Sequence, residues 1–236
     1  MPLLEVENLN VHLGTNHILR DVNFSISRGE SLAIIGPNGA GKTILLKVLL
    51  ELVPYSGKAL WEKGIKVGYV PQKIEADRQI PLTVWNLLDA KAKTIGSERK
   101  EVRDVAKSVG IAEHTLRTEL RHISGGQFQR VLIAFALLGK PDIILFDEPT
   151  ASIDEQGEEQ VYEVIHRLQD ELNIAVIVVS HDLSFVYRHA TSVLCLNKHG
   201  LCFGRPDQVL TPEKLTELYS APFGYYHHIH ENNHGH

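Results

Sequence analysis

The chain has 236 residues, with 24 lysines and arginines against 29 aspartates and glutamates, which gives a net charge of −5. Hydrophobic residues make up 43% and charged residues 22%, which excludes wholesale disorder and indicates one large domain or one domain with an inserted lobe. The longest apolar run, Val131–Leu138, is far shorter than the roughly 20 residues of a membrane-spanning helix. The N-terminus lacks the pattern of a signal peptide, and the acidic balance disfavours nucleic acid as the main partner.

The first third of the chain predicts an edge sheet followed by a buried strand. Residues 4–11 and 18–29 alternate between apolar and polar side chains, which predicts antiparallel strands. Leu32–Gly36 is apolar throughout, as in a strand that is buried on both faces. The region of about 80–140 has helical patterns without a strand-like run, which predicts an α-helical subdomain inserted into the core.

Two further apolar runs, Ile143–Asp147 and Ala175–Ser180, predict buried strands on either side of a helix. That helix is indicated by Val161, Val164, Ile165, Leu168 and Leu172, which follow a helical spacing. Strands that alternate with helices predict an α/β fold with a mostly parallel sheet. The predicted fold is therefore an α/β core with an antiparallel β edge and an inserted helical subdomain.

A phosphate-binding loop follows the first buried strand and precedes an apolar helix. It consists of Gly36, Pro37, Asn38, Gly39, Ala40, Gly41, Lys42 and Thr43. The glycines let backbone N–H groups converge on phosphate oxygens, and the helix start adds its positive end. Lys42 is placed to reach the β- and γ-phosphates and Thr43 to ligate Mg²⁺, so the motif predicts binding of a nucleoside triphosphate such as ATP.

Two adjacent carboxylates end the second buried strand. Asp147 and Glu148 lie at its carboxyl end, which is where open α/β sheets bind ligands. Asp147 suits the orientation of a Mg²⁺ shell, and Glu148 suits the polarisation of an attacking water. A solvated pair at a strand end is the alternative, which the apolar run directly before the pair disfavours.

The stretch Ile123–Arg130, ISGGQFQR, begins an apolar helix. Ser124 and the Gly125–Gly126 backbone precede this helix and form a second helix-start anion site. Together with the phosphate-binding loop and the Asp-Glu strand, this element resembles the ATP-binding cassette (ABC) ATPases. Gln72 in YVPQ, Asp154 in PTASID and His181 in VVSHD follow in the order of that family, so the resemblance covers nearly the whole chain.

The resemblance implies a P-loop NTPase domain over residues 1–225 and specific roles for several residues. Ser124–Gln127 would contact ATP held by the Lys42 of a second copy, so that two nucleotides are sandwiched in a homodimer. Gln72 would contact Mg²⁺ and water and couple the site to a membrane subunit, and His181 would contact the γ-phosphate. Asp154 would lie at the dimer seam; a helix N-cap is an equally good interpretation, and the two are compatible.

One position departs from the family. ABC ATPases place an aromatic side chain near the start of the chain, where it stacks on adenine, whereas this sequence has Leu13 there, with His12 beside it. The sequence therefore predicts that stacking on the base is weak or is supplied by His12.

The segments VPQKIEADRQIPLTVWNLL and SVLCLNKHGLCFGRP resemble the zinc-uptake branch of the family. That resemblance implies an ATPase at the cytoplasmic face of the membrane, a separate permease and an extracytoplasmic metal-binding protein. An ATPase for manganese or iron uptake is the nearest alternative. A soluble ABC ATPase acting on DNA or ribosomes, or a module of an exporter, belongs to a different class and fits the length and charge less well.

The C-terminal residues 226–236 form a predicted flexible tail that is rich in histidine: His227, His228, His230, His234 and His236. Imidazole suits Zn²⁺, so the tail is a candidate for buffering or sensing zinc; a purification tag and a tail without a role are the alternatives. Cys195 and Cys202 are too few for a disulfide framework, which indicates a reducing compartment. A metal site with His199, which lies between them, is the alternative to a buried unpaired cysteine, the preferred interpretation of Cys195.

Overall fold

The computed structural model of the protein describes residues 2–72, 81–150, 153 and 155–219. Within these residues, one nine-stranded sheet has the order β4-β1-β2-β9-β8-β3-β7-β6-β5. The strands are β1 (Leu4–Leu13), β2 (Asn16–Ile26), β3 (Ser31–Ile35), β4 (Ser56–Trp61), β5 (Val67–Val70), β6 (Ile143–Asp147), β7 (Ala175–Val179), β8 (Ser192–Asn197) and β9 (His199–Gly204). The helices are α1 (Lys42–Leu49), α2 (Val84–Thr94), α3 (Arg99–Ser108), α4 (Glu113–Leu116), α5 (Gly125–Leu137), α6 (Glu155–Leu172), α7 (Leu183–His189), α8 (Pro206–Val209) and α9 (Pro212–Tyr219).

The parallel part of the sheet runs β8-β3-β7-β6-β5. Every residue of β3, β6 and β7 is buried, because helices cover one face of these strands, while α1 and the antiparallel strands cover the other. This confirms the prediction from their apolar runs. Parallel strands end at one edge of the sheet, and the segments that follow β3, β5, β6 and β7 therefore meet there.

The antiparallel edge consists of β1, which pairs with β2 on one side and β4 on the other. The alternation in residues 4–11 and 18–29 predicted β1 and β2 correctly, since one face of each strand packs on the core and the other does not. The predicted α/β fold with a mostly parallel sheet and an antiparallel edge is confirmed.

Helices α2 to α5 lie in the sequence between β5 and β6, so the region of about 80–140 is helical where it is described. Side chains such as Leu88 of α2, Val102 of α3 and Ile133 of α5 belong to the same apolar core cluster. The domain bounds 1–225 and 226–236 stay predictions, because residues 220–236 lie outside the described ranges. None of the helices within those ranges has the length and hydropathy needed to cross a lipid bilayer.

The predicted helix is α6, and it contains all five residues of the helical spacing: Val161, Val164, Ile165 and Leu168 are buried, and Leu172, its last residue, is 53% exposed. The prediction about Cys195 was right about its burial and wrong about its pairing. Cys195 is fully buried but not unpaired: β8 and β9 place it opposite Cys202, with the Cα atoms 4.9 Å apart, and the two form a disulfide. The antiparallel register brings together two residues that are seven positions apart in the sequence.

Candidate nucleotide-binding and hydrolysis site

Four predicted site segments lie at the carboxyl ends of neighbouring parallel strands. The phosphate-binding loop begins at Gly36 after β3, Gln72 follows β5, Asp147 ends β6, and His181 follows β7. In the order β3-β7-β6-β5 each strand is hydrogen-bonded to the next, so the carboxyl ends of the four strands line one edge of the sheet. The sheet topology thus brings together residues that are more than a hundred positions apart in the sequence.

Glycine is required at both ends of the phosphate-binding loop. Gly36 has φ 150°, and a Cβ atom there would lie 1.9 Å from the Leu196 carbonyl oxygen. Gly41 has φ 98° and is the N-cap of α1, without any side-chain hydrogen bond to cap the helix. The first N–H groups of α1 are therefore available to an anion, which is the arrangement that a triphosphate needs.

The ammonium group of Lys42 is positioned by the phosphate-binding loop. Its side chain is only 5% exposed, and Nζ donates hydrogen bonds to the carbonyl oxygens of Gly36 (2.8 Å) and Pro37 (3.1 Å). Burial lowers the pKa of Lys42, while the nearby Glu148 and Asp147 carboxylates raise it. The Glu148 Oε1 atom lies 3.9 Å from Nζ. A buried ammonium with only part of its donors satisfied at short range is a preorganised partner for phosphate oxygens.

Thr43 and Asp147 place a hydroxyl and a carboxylate side by side. Thr43 Oγ1 donates to Asp147 Oδ1 over 3.0 Å, and the Tyr69 hydroxyl donates to Asp147 Oδ2 over 3.4 Å. Asp147 is 2% exposed, and burial raises its pKa despite the Thr43 hydrogen bond. Burial beside this carboxylate raises the pKa of Tyr69 to about 12. The hard oxygen ligands of Thr43 and Asp147 fit Mg²⁺.

Glu148 is the centre of the site. Its Oε1 is 2.7 Å from His181 Nε2, and its Oε2 accepts a hydrogen bond of 2.5 Å from Gln72 Nε2. The residue has φ 48°, an uncommon conformation for a side chain other than glycine, and its N–H donates to the Val179 carbonyl. With Lys42 Nζ 3.9 Å from Oε1, three side chains from three different segments converge on one carboxylate. The backbone of Glu148 is strained, as is frequent at functional sites.

The Ser124–Gln127 group begins α5 as a capping box. Ser124 Oγ accepts from the Gln127 N–H (3.2 Å), and Gln127 Oε1 accepts from the Ser124 N–H (2.9 Å). Gly125 and Gly126 form the first turn, and the space next to Gly126 is bounded by Ile153 at 3.9 Å from a Cβ built there. This group lies on the inserted helices and not at the sheet edge. Asp154 and the tail histidines lie outside the described residues.

His12 has an aromatic partner. It lies opposite His17 across the β1–β2 hairpin, and the two imidazoles stack with centroids 3.9 Å apart. His17 Nε2 is 3.0 Å from Asn10 Oδ1, and burial lowers the pKa of His17, with His12 as a further cause. Leu13 is 42% exposed at the end of β1. The hairpin therefore carries a pair of stacked imidazoles beside the position where an aromatic side chain is expected.

Tyr69 is a site residue that the sequence analysis missed. It lies in β5, where its neighbour Val70 pairs with Phe146 just before Asp147. β5 has only four residues, which is too short for a reliable periodicity. The sequence does show a tyrosine three residues before Gln72. Its role can be recognised only when β5 is known to be the neighbour of β6.

Residues 19–151 match the ABC transporter family. The chain therefore belongs to this family, and it is an ATP-hydrolysing member, as the resemblance implied. Its fold is that of an ABC ATPase.

Several curated relatives are similar over nearly the whole chain. The zinc import ATP-binding protein ZnuC of Mannheimia succiniciproducens is 37% identical over 99% of this chain and 89% of its own. ZnuC of Haemophilus influenzae is 38% identical over 97% of this chain and 86% of its own. ZnuC of Brucella abortus is 39% identical over 98% of this chain and 78% of its own.

Solved structures show the same fold. A chain of an inward-facing transporter described as metal-chelate type superimposes with a TM-score of 0.85 at 27% identity, covering 94% of this chain and 90% of that one. CbiO1 of Clostridium perfringens, part of the ABC transporter complex CbiONQ, gives a TM-score of 0.78 at 28% identity and covers 92% and 93%. A dimeric ATP-binding cassette bound to ADP and phosphate gives 0.72 at 25% identity and covers 86% and 98%.

Proposed function

We propose that the protein is the ATPase subunit of a zinc importer, in which ATP binding and hydrolysis drive transport through a separate permease. The observation that supports hydrolysis is the convergence of Lys42, Gln72 and His181 on Glu148. The three relatives described above, which are zinc import ATP-binding proteins 37–39% identical to this chain, support zinc as the cargo. ATPases for manganese or iron uptake remain the alternative that the cellular experiment below tests.

Glu148 accepts the proton of the attacking water in this proposal. The hydrogen bond from Gln72 fixes one carboxylate oxygen and the contact with His181 fixes the other, so the carboxylate is oriented before substrate arrives. Lys42 exchanges its bonds to the loop carbonyls for bonds to phosphate oxygens, and His181 stabilises charge that develops on the γ-phosphate. Thr43, Asp147 and Gln72 would hold Mg²⁺, which neutralises phosphate charge when bound.

Ser124–Gln127 would complete the nucleotide site of a second copy. The group presents a second helix start, and a chain with two anion-binding elements is explained by a two-fold dimer in which each element faces the other copy. Asp154 would lie at the seam of this homodimer. The permease would hold the dimer at the cytoplasmic face of the membrane, with Gln72 as the coupling residue and an extracytoplasmic metal-binding protein as an indirect partner.

The histidine tail, His227, His228, His230, His234 and His236, would bind cytosolic zinc and play no part in the transport path. Imidazole is a good ligand for Zn²⁺, and five imidazoles lie within ten residues. Elsewhere, within residues 2–72, 81–150 and 155–219, no group of three or more His, Cys, Asp or Glu side chains is arranged to hold a metal ion.

The hydrolysis proposal is tested with Glu148→Gln in the full chain. We expect the variant to bind MgATP about as tightly as the wild type and to turn over at least about 100-fold more slowly, since a general base contributes about 10²–10⁴-fold. Glu171→Gln, which changes an exposed carboxylate near the end of α6, is the matched control and should keep wild-type turnover. Wild-type turnover by Glu148→Gln would refute the assignment.

The zinc proposal is tested by the zinc, manganese and iron contents of metal-limited cells. We compare the wild type with a deletion complemented by the wild-type chain, by Glu148→Gln or by Glu171→Gln. Zinc should fall selectively in the deletion and recover with the wild type and Glu171→Gln only. A selective fall in manganese or iron would identify that metal, and not zinc, as the cargo. Unchanged contents of all three metals would overturn the importer proposal.

The tail proposal is tested by titrating Zn²⁺ into the full chain and into a chain that ends at residue 225, followed by calorimetry. The tight binding should be present only in the full chain, while both proteins hydrolyse ATP at the same rate. Equal zinc binding by the two proteins would overturn the tail as a zinc site.

A further inference from the structure

Tyr162 of α6 joins two loops of the site through its hydroxyl. The side chain is 6% exposed, and its oxygen lies 3.0 Å from Ser180 Oγ and 3.4 Å from Thr150 Oγ1. Ser180 directly precedes His181, and Thr150 follows Glu148 by two residues. One buried phenol therefore touches the loop that carries the carboxylate and the loop that carries its imidazole partner.

The neighbouring hydrogen bonds fix the direction of this chain of hydroxyls. Thr150 Oγ1 lies 2.6 Å from Glu158 Oε1, and a carboxylate only accepts, so the Thr150 proton points to Glu158. The Tyr162 hydroxyl must then donate to Thr150, and Ser180 must donate to Tyr162. Ser180 Oγ accepts the N–H of Asp182 over 3.0 Å, which is consistent with that direction. Each hydroxyl donates once, and the chain runs from Ser180 through Tyr162 and Thr150 to Glu158.

The ring of Tyr162 is fixed independently of its hydroxyl. It stacks on Phe185 of α7 with centroids 4.0 Å apart and an interplanar angle of 20°. Ser180 is 1% exposed, and its N–H donates to the Ile34 carbonyl of β3. Burial raises the pKa of Tyr162, so the phenol keeps its proton at neutral pH. The phenol is thus a rigid and neutral bridge between the two loops.

We infer that Tyr162 is a positioning residue for ATP hydrolysis, which sets the distance between His181 and Glu148 by tying the Thr150 and Ser180 loops together. This inference rests on the proposed function. The contact between His181 Nε2 and Glu148 Oε1 is 2.7 Å, and a shift of either loop by a fraction of an ångström would lengthen it. In the contacts described above, Tyr162 touches neither Glu148 nor His181.

The first test is Tyr162→Phe in the full chain, which removes the hydroxyl and keeps the ring on Phe185. Loss of one neutral hydrogen bond in the positioning network should lower kcat by about three- to tenfold and change the KM for MgATP by less than about twofold. Tyr187→Phe on α7 is the matched control, since it removes a phenol that donates to the Leu210 carbonyl, and should keep the wild-type kcat. If Tyr162→Phe shows the kcat of the control, the inference is wrong.

The second test changes the other partner of the Tyr162 hydrogen bond, Thr150, and includes a conservative variant that keeps the hydroxyl. Thr150→Val removes the acceptor of the Tyr162 hydroxyl, and Thr150→Ser keeps it. Thr150→Val should lower kcat as Tyr162→Phe does, the double variant should lose no more than about the larger single effect, and Thr150→Ser should recover most of the activity. Independent multiplication of the two losses, or a Thr150→Ser no better than Thr150→Val, would overturn the chain of hydroxyls.

The outcome for Glu148→Gln distinguishes this inference from the proposed function. If Glu148→Gln is inactive and Tyr162→Phe has the wild-type kcat, only the role of Tyr162 fails. If Glu148→Gln hydrolyses ATP at the wild-type rate, the hydrolysis proposal fails, and the inference fails with it.

Discussion

At the scale of single residues, Lys42 shows how burial is turned into affinity for an anion. Two carbonyl oxygens and a carboxylate 3.9 Å away surround an ammonium that is almost withdrawn from water. Desolvation lowers its pKa, which means that the charged form lacks part of the solvation it would have in water. Phosphate oxygens restore that solvation, so the binding of a triphosphate is favoured at this position.

Replacement of this ammonium should weaken nucleotide binding. Lys42→Met keeps the apolar stem in the loop and removes the charge, and hydrogen bonds to charged groups contribute about 1.5–3 kcal/mol, so the Kd for MgATP should rise by about 10–150-fold. Titration with a fluorescent ATP analogue measures this. Lys47→Met, an exposed lysine of the same helix, should bind nearly as the wild type; similar losses in both variants would contradict the role of Lys42.

Burial of the Asp147 carboxylate destabilises the nucleotide-free fold, and this effect depends on pH. Burial raises its folded-state pKa above the ordinary value of 3.8, so the folded chain binds more protons than the unfolded chain between the two values. The contribution of Asp147 to stability is therefore most favourable at low pH, and it falls as the pH rises from the unfolded-state pKa through the raised folded-state pKa. At neutral pH the nucleotide-free protein holds a buried carboxylate that weakens its fold.

Asp147→Asn should therefore raise the Tm of the nucleotide-free protein at neutral pH by about 2–4 °C, the shift that about 1 kcal/mol produces at this size, while hydrolysis is lost with the proposed Mg²⁺ ligand. The gap in Tm between the variant and the wild type should shrink as the pH is lowered toward the carboxyl range. Thermal melts between pH 5 and 8 measure it, with the exposed Asp104→Asn as the control. A gap that widens on acidification would contradict this account.

At the scale of elements, α5 illustrates two functions of one N-terminus. Ser124 caps the helix through its oxygen and, in the proposed dimer, would face the phosphates of the other copy. Aspartate caps a helix as well as serine does but brings a negative charge, and alanine removes the cap without adding a charge. The two substitutions therefore separate stability from nucleotide chemistry.

Ser124→Ala should lower the free energy of unfolding by about 1 kcal/mol, whereas Ser124→Asp should keep the Tm and lose ATP hydrolysis. Thermal melts and turnover are measured side by side on the two variants. Thr83→Asp, which keeps the cap of α2 and adds the same charge elsewhere, should stay active. Active Ser124→Asp would show that this helix start does not face phosphate.

The elements also show what the sequence alone can predict. β3, β6 and β7 were predictable because strands buried on both faces need uninterrupted apolar runs, and the loops at their ends supplied most of the site. Residues whose role depends on a neighbour in space were not predictable. Tyr69 needs the β5–β6 pairing, the disulfide needs the β8–β9 register, and Tyr162 needs the approach of α6 to two loops.

At the scale of the whole molecule, the N-termini of α1 and α5 lead to a prediction about how two copies of the chain share a nucleotide. If each nucleotide lies between the phosphate-binding loop of one copy and the Ser124–Gln127 group of the other, defects in different elements should complement each other. Lys42→Met damages the loop and Ser124→Asp damages the other element. A mixed dimer then contains one site with two intact halves and one site with two damaged halves.

The two variants, each also carrying Glu148→Gln so that ATP is not consumed, should retain little labelled ATP through gel filtration when tested alone. An equimolar mixture should retain ATP at about a quarter of all sites, because half of the dimers are mixed and each has one intact site of two. A mixture of Lys42→Met with Thr43→Val is the control, since both changes damage the same loop and no intact site can form. Retention by the first mixture that is no greater than in the control would mean that one copy supplies the whole nucleotide site.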